Sequence, residues 1–211
     1  MRNPILRVLC TVSLLLLLEL LGEGRSYAQI IRTNVLAVPF MNLGAEVPLG
    51  PRWSIGSDIY YPWLGRPGRD AGVDKSGVCN ELMAADLELR YWFENGNPSG
   101  GQRLLGYSVG IYGAAGLYDF ERDWSGYQGR FYNAGVDFLY AVPVFKGRLH
   151  LELELGLGYI WSAALPYDCP EPGGPIYHRK GVTKYIRWFG PTRAQVSLAV
   201  PICLFKKGGA R

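Results

Sequence analysis

In the segment LHLELELGLGYIW, residues 149–161, every odd position carries a large apolar side chain, while the even positions from 150 to 158 carry His, Glu or Gly. A β-strand, whose successive side chains point to opposite faces, separates the two sets cleanly. The pattern recurs along the chain, and this recurrence limits the fold more than any other property. IIRTNVLAV and MNLGAEVPL are two short candidates near the start. RWSIGSDIYY sets Trp53, Ile55, Ile59 and Tyr61 against Ser54, Gly56, Asp58 and Tyr60, and ELMAADLELRYWF sets Leu87, Leu89, Tyr91 and Phe93 against Asp86, Glu88, Arg90 and Trp92. LLGYSVGIYGAAGLY, FYNAGVDFLYAV and TRAQVSLAVPICLF behave in the same way. Beyond the first 28 residues no stretch has the period of a long amphipathic helix.

Eight two-faced strands predict an all-β fold, an eight-stranded antiparallel up-and-down barrel. Side-chain size decides which face is inside. The apolar face carries bulky Leu, Tyr, Trp and Phe, whereas the polar face carries Gly44, Gly56, Gly106, Gly110, Gly116, Gly135, Gly156 and Gly158. An eight-stranded barrel has an interior only just wide enough for side chains, so the small residues belong inside. The bulky set then faces outward, as in a transmembrane β-barrel, with Leu151, Leu153, Leu155 and Leu157 against lipid. Connection lengths alternate: PLGPR and VFKGR are tight turns, while 63–80, 119–130 and 163–191 read as long loops on the outer side. With the N-terminus in the periplasm, Tyr61, Tyr132, Tyr159 and Trp161 fall near the outer rim. Trp53, Tyr91, Phe93, Tyr107 and Tyr140 fall near the inner one, making two aromatic girdles.

The start of the chain supports export. Arg2 and Arg7 precede an apolar run from Val8 to Leu21, and Ser26-Tyr27-Ala28 offers the small residues of a cleavage site. Residues 1–28 are therefore expected to be a signal peptide cut between Ala28 and Gln29, leaving residues 29–211 as the barrel domain. The formal net charge is +4, with no dense basic patch, which excludes a nucleic-acid-binding footprint. Cys79 and Cys169 fall in Pro/Gly-rich connections and Cys203 in an apolar run, so Cys79 with Cys169 is the candidate disulfide for an exported chain.

The inward set is charged: Arg32, Glu46, Asp58, Asp86, Glu88, Arg90, Asp137, Glu152, Glu154 and Arg193, with His150 toward the periplasmic mouth. Charges withdrawn from water need partners, so these groups are expected to form a salt-bridged lumen network that fills the barrel. A narrow solute or ion channel lined by carboxylates is the alternative. No His, Cys or Asp spacing matches a metal-ligand set, and neither a metal nor a cofactor is expected. A lipid-modifying enzyme would need a nucleophile, a histidine and a carboxylate together near lipid. His150 points inward and His178 has no serine close in sequence, so no catalytic residues are assigned. The glycine runs lack the Gly-Lys-Ser/Thr ending of a phosphate loop.

The segments RTNVL, NLGAEVPLGPRWSI, ELRYWF, YQGRFYNAG, LELELGLGYIW and RWFGPTRAQVSLAV, spread between Arg32 and Val200, carry a resemblance. The chain resembles domain-of-unknown-function family 3575, short outer-membrane barrels of Gram-negative bacteria. Genes of this family often accompany those of fimbria-like surface fibres. The resemblance implies an outer-membrane, cell-envelope protein without enzymatic activity, a scaffold or an accessory to a surface structure. It also implies two nearby cysteines in the last long loop, where this chain has only Cys169, which makes Cys79 a substitute partner. That loop, 163–191, joins Tyr177, Tyr185 and Trp188 to a basic group. It is expected to meet lipopolysaccharide phosphates, with contact to a surface-fibre or other envelope protein as the second use of its aromatics.

Overall fold

Period two becomes strand in a computed structural model of the protein, which describes residues 29–37, 40–61, 78–93, 104–122, 125–168, 178–179 and 181–202. The strands are β1 (Gln29–Asn34), β2 (Met41–Pro48), β3 (Trp53–Tyr61), β4 (Val78–Trp92), β5 (Gly106–Arg122), β6 (Ser125–Val144), β7 (Leu149–Asp168), β8 (His178–Arg179) and β9 (Lys184–Ile202). Apart from the two-residue β8, which pairs with the end of β7, each strand runs antiparallel to its neighbours in the order β1-β2-β3-β4-β5-β6-β7-β9. β9 pairs back onto β1, from Gln29 opposite Ile202 to Asn34 opposite Ser197. Eight antiparallel strands thus close into a ring, with no α-helix among the described residues.

The ring is polar inside and apolar outside. Arg32, Glu46, Asp58, Glu88, Arg90, Glu152 and Glu154 are buried, while Leu43, Ile59, Leu87, Ile111, Val136, Leu155 and Leu157 are among the most exposed side chains. Alternation alone accounts for this, because closure puts every second residue of each strand into one enclosed space. Glycines make room for the long side chains there. A Cβ on Gly44 would collide with Asp58 Oδ1, its cross-strand neighbour, and one on Gly56 would stand 3.3 Å from Arg32 Nη2. The β6–β7 turn needs glycine for a different reason, since Gly147 adopts φ 79°.

Several expected boundaries are corrected. The segment 119–130 is not a long loop: β5 runs to Arg122 and β6 begins at Ser125, with Arg122 opposite Ser125. Much of 163–191 is also strand, since β7 continues to Asp168 and β9 starts at Lys184, with Ala164 opposite Lys184. β4 begins at Val78, so Cys79 lies in a strand opposite Glu121 rather than in a connection. The cause is common to all three: turn formers such as Asn80, Gly126 and Pro166 lie inside ladders, and cross-strand pairing overrides their local preference. The extensions stand on one side of the ring. β6 and β7 each have 20 residues, whereas β1 has 6 and β2 has 8.

A second irregularity sits in β9. Gly156 pairs with Arg193 but Leu157 pairs with Pro191, so Thr192 is an extra residue, a β-bulge. Proline has no amide hydrogen to donate and is tolerated beside such a break. The bulge turns Thr192 inward, where its hydroxyl meets the Tyr112 hydroxyl. Before Ser197, β9 has β7 on one side and no strand on the other among the described residues.

The expected leader, residues 1–28 with Ala28, lies outside the described residues, as do Cys169 and Cys203.

Candidate functional site

The interior is layered. At the end where β6 turns into β7, Ile30, Trp92, Leu104, Leu139, Ala141 and Ala199 pack into an apolar cluster, with Leu105 against it. Trp92 links this floor to the polar layer: its Nε1 donates to Ser54 Oγ at 2.8 Å, and Ser54 donates to Glu46 Oε1 at 2.5 Å. The tryptophan faces inward because it lies on the same face of β4 as Arg90 and Glu88, with the indole N–H satisfied by a hydroxyl.

Three guanidiniums organise the layer above. Arg32 on β1 grips Asp58 on β3 with two parallel hydrogen bonds of 3.0 Å, and donates through Nη1 to Glu46 on β2 at 2.8 Å. Arg90 on β4 donates to the same Glu46 oxygen at 2.7 Å, to Glu88 at 2.7 Å and to Glu154 on β7 at 2.6 Å. Arg193 on β9 donates to Glu88 at 2.9 Å and to Asp86, and its Nε lies 2.9 Å from Glu154 Oε1. Its guanidinium also lies over the Tyr112 ring, 4.7 Å from the centroid. Planar five-donor forks suit this task, because each can meet carboxylates from several strands at once.

All ten expected lumen residues are buried, and they come from seven of the eight ring strands. β5 contributes space instead, through Gly110. The participation is uneven. Among the described residues Glu152 makes no hydrogen bond, and its ion pair is a long one, 3.8 Å to Arg32. Asp137 stands 3.9 Å from Arg90 Nε and 3.8 Å from Arg193 Nη1, and with Glu88 and Glu154 it forms a cluster of carboxylates. His150 is fully buried, and neither ring nitrogen has a hydrogen-bond partner among the described residues.

Above the network a cavity of about 240 Å³ is lined by Asn34, Tyr60, Asp86, Tyr112, Asn133 and Thr192, among others. Beyond it Tyr118 and Ser162 share a hydrogen bond of 2.8 Å. Near the tall rim Tyr167 donates to Asp119 at 2.5 Å and lies 3.0 Å from Glu121. Burial and its hydrogen bond to Asp119 push the Tyr167 hydroxyl well above the usual phenol range. Sequence reasoning assigned no role to Ser54, Tyr112, Thr192 or Tyr167. Strand parity marks Ser54 and Tyr112 as inward, but Thr192 depends on the bulge and Tyr167 on the strand extension.

The outer surface has its own order. Trp53 and Tyr91 meet edge-on with centroids 5.2 Å apart, Tyr91 and Phe93 likewise at 5.5 Å, and Tyr107 stacks on Tyr140 at 4.4 Å. Toward the other end Tyr132, Trp161 and Tyr185 follow one another at 5.7 and 5.9 Å. Between these groups lie exposed aliphatic side chains, with Leu155 70% exposed. Of the four expected lipid-facing leucines, Leu153, Leu155 and Leu157 are exposed and Leu151 is half-buried.

The sequence model of the family described as "Protein of unknown function (DUF3575)" matches residues 10–202. Comparison with curated proteins and with solved structures finds no match.

Proposed function

Because the chain belongs to this family of unknown function, its role has to be read from the ring itself, and we propose that it is an outer-membrane β-barrel with a filled lumen, acting as an envelope scaffold or as an accessory to a surface structure. The supporting observation is the pairing of a buried ion network with an exposed aliphatic belt. Water stabilises neither the belt nor so many large exposed apolar groups in one band, whereas lipid does. The belt has the right height. Tyr140 of the inner girdle pairs with Leu153, and Tyr132 of the outer girdle pairs with Trp161, eight residues further along β7. At about 3.3 Å per residue and a tilt of about 40°, this spans about 20 Å, close to the apolar band of about 25 Å in such barrels.

This reading places the N-terminus in the periplasm, reached by the expected signal peptide, and the tall rim outside the cell. Planar-bilayer recording tests the filled lumen against the channel alternative. The purified protein is expected to give no discrete openings, because the apolar floor and the ion network stand across the interior. Stepwise conductance that changes when Arg90 is replaced would favour the channel. The lipid-modifying alternative is weakened by the position of His150, which is fully buried inside the ring.

Partner contact belongs to the tall rim. Tyr185, Ile186, Trp188 and Phe189 are exposed there, on a stretch of β9 that has a strand on one side among the described residues. Such an edge offers backbone hydrogen bonds together with aromatic anchors. Lys184 lies over the Tyr127 ring at 5.6 Å, with Arg187 close by in sequence to meet lipopolysaccharide phosphates. Removing residues 172–180 leaves enough chain to join the ends of β7 and β9 but shortens their connection. The shortened protein is expected to insert normally and to lose its share of surface-fibre assembly or of partner pull-down. Unchanged assembly and pull-down would reject a partner at this rim.

A further inference from the structure

We propose that the cavity above the ion network is a binding site for a single neutral sugar ring, free or at the end of a glycan. Its volume of about 240 Å³ equals that of about eight water molecules at liquid density, the scale of one pyranose. The sequence holds this layer open. Along the inward face of β4, Arg90, Glu88 and Asp86 give way to Ala84, and on β5 Ala114 stands opposite Asp86.

The lining selects a neutral ligand that carries hydroxyls. Its two charged groups are already engaged: Arg193 holds Asp86, Glu88 and Glu154, and Asp86 also accepts the Asp58 amide at 2.8 Å. An ionic ligand would bury its charge against groups that already have their partners. The uncharged groups keep hydrogen-bonding capacity. Tyr112 and Thr192 share one hydrogen bond, so one of the two hydroxyls keeps its hydrogen to donate. Gln195 uses one amide hydrogen on the Tyr60 hydroxyl, at 3.0 Å, and a second is left. Against these groups stand Phe131, Leu82 and the two alanines, an apolar wall. A sugar ring presents both surfaces, hydroxyls at its rim and C–H groups on its face, and a few placed polar groups in an apolar lining are the usual make-up of a small-molecule site.

Two departures from a regular ring serve the site. In an unbroken ladder Thr192 would alternate with the inward Arg193 and point outward, and the bulge in β9 brings it to the cavity instead. The second departure is a notch. β1 stops at Asn34 and β3 at Tyr61, while β4 and β9 extend beyond them, so the wall among the described residues is low on this side. Asn34 and Tyr60 stand at the foot of the notch and line the cavity, which lets a terminal sugar enter while the rest of a glycan stays outside. The inference needs the ring alone, whatever solvent surrounds it, so it stands or falls separately from the conductance and partner results.

The full-length protein, folded in a detergent without a sugar head group, is to be titrated with the methyl glycosides of glucose, galactose, mannose and N-acetylglucosamine, and binding read by saturation-transfer NMR. Saturable binding of at least one is expected, with methyl glucuronide, which adds a carboxylate, binding more weakly. Deacylated lipopolysaccharide as competitor separates the two sources: displacement marks a surface glycan as the ligand, and its absence a free sugar. Ala114→Leu fills the cavity and is expected to abolish binding. Thr192→Val removes a hydroxyl at nearly constant shape and should weaken binding by up to about tenfold, the worth of one hydrogen bond, which keeps the test decisive if Ala114→Leu does not fold. Ser162→Ala, beyond the cavity, should bind as wild type does. The proposal is overturned if wild-type protein, shown to be folded by its heat-dependent gel mobility, binds none of the four glycosides at millimolar concentration, since the cavity then holds water alone. It is equally overturned if Ala114→Leu, folded by the same criterion, or Thr192→Val binds them as well as wild type.

Discussion

Leu155→Arg is expected to destabilise the inserted protein by about 2 to 4 kcal/mol, measured as the shift in the urea midpoint for folding into lipid vesicles. Leu155 is 70% exposed and lies between the two girdles, opposite Phe138 on β6 and Ala194 on β9. An arginine there has to reach an interface across aliphatic neighbours. Leu153 supplies an internal depth control, because it pairs with Tyr140 at the inner girdle, where an arginine head group can reach water. Leu153→Arg should therefore cost less than Leu155→Arg. In a ring with water outside, neither substitution would cost much, and both would improve solubility. Equal midpoints for wild type and Leu155→Arg would mean that the belt does not face lipid.

Arg90→Met is expected to cost about 3 to 5 kcal/mol, the range for breaking a buried ion cluster by removing one partner. The guanidinium is almost fully buried and donates to Glu46, Glu88 and Glu154, so its loss leaves three carboxylates from β2, β4 and β7 facing one another. Arg32 still holds Glu46 and Arg193 still holds Glu88 and Glu154, so the penalty belongs to the uncompensated negative charge more than to the lost hydrogen bonds. A compensating change follows: adding Glu88→Gln to Arg90→Met should recover part of the stability, since it removes one of those anions. Arg90→Lys should fall between wild type and Arg90→Met, because a point charge cannot replace a fork that meets three carboxylates. Urea unfolding monitored by gel mobility ranks the variants. If Arg90→Met unfolds at the wild-type midpoint, the network does not hold the ring together.

The direction in which each side chain points was legible along the chain. In a strand that direction alternates strictly, and the small size of the polar set assigned it to the inside. All ten charged lumen candidates, from Arg32 to Arg193, follow from that one rule. Strand ends were harder, because local composition competes with pairing. The glycines and polar residues between Asp119 and Arg130 read as a loop, yet they lie in two long strands that pair with each other, and β6 pairs with β7 as well. Cys79 was placed in a connection for the same reason.

By itself, then, the sequence determined an all-β chain of two-faced strands, the residues on each face, and the balance of charge inside. The tertiary structure decided which of those residues meet. Arg90 reaching Glu46 and Glu154, Thr192 turning inward at a bulge, and Asp137 facing Glu88 and Glu154 all depend on the register between strands distant in sequence. Alternation is a local property of the backbone, whereas register is settled by closing the whole ring at once, and only closure sets one strand's carboxylate against another's.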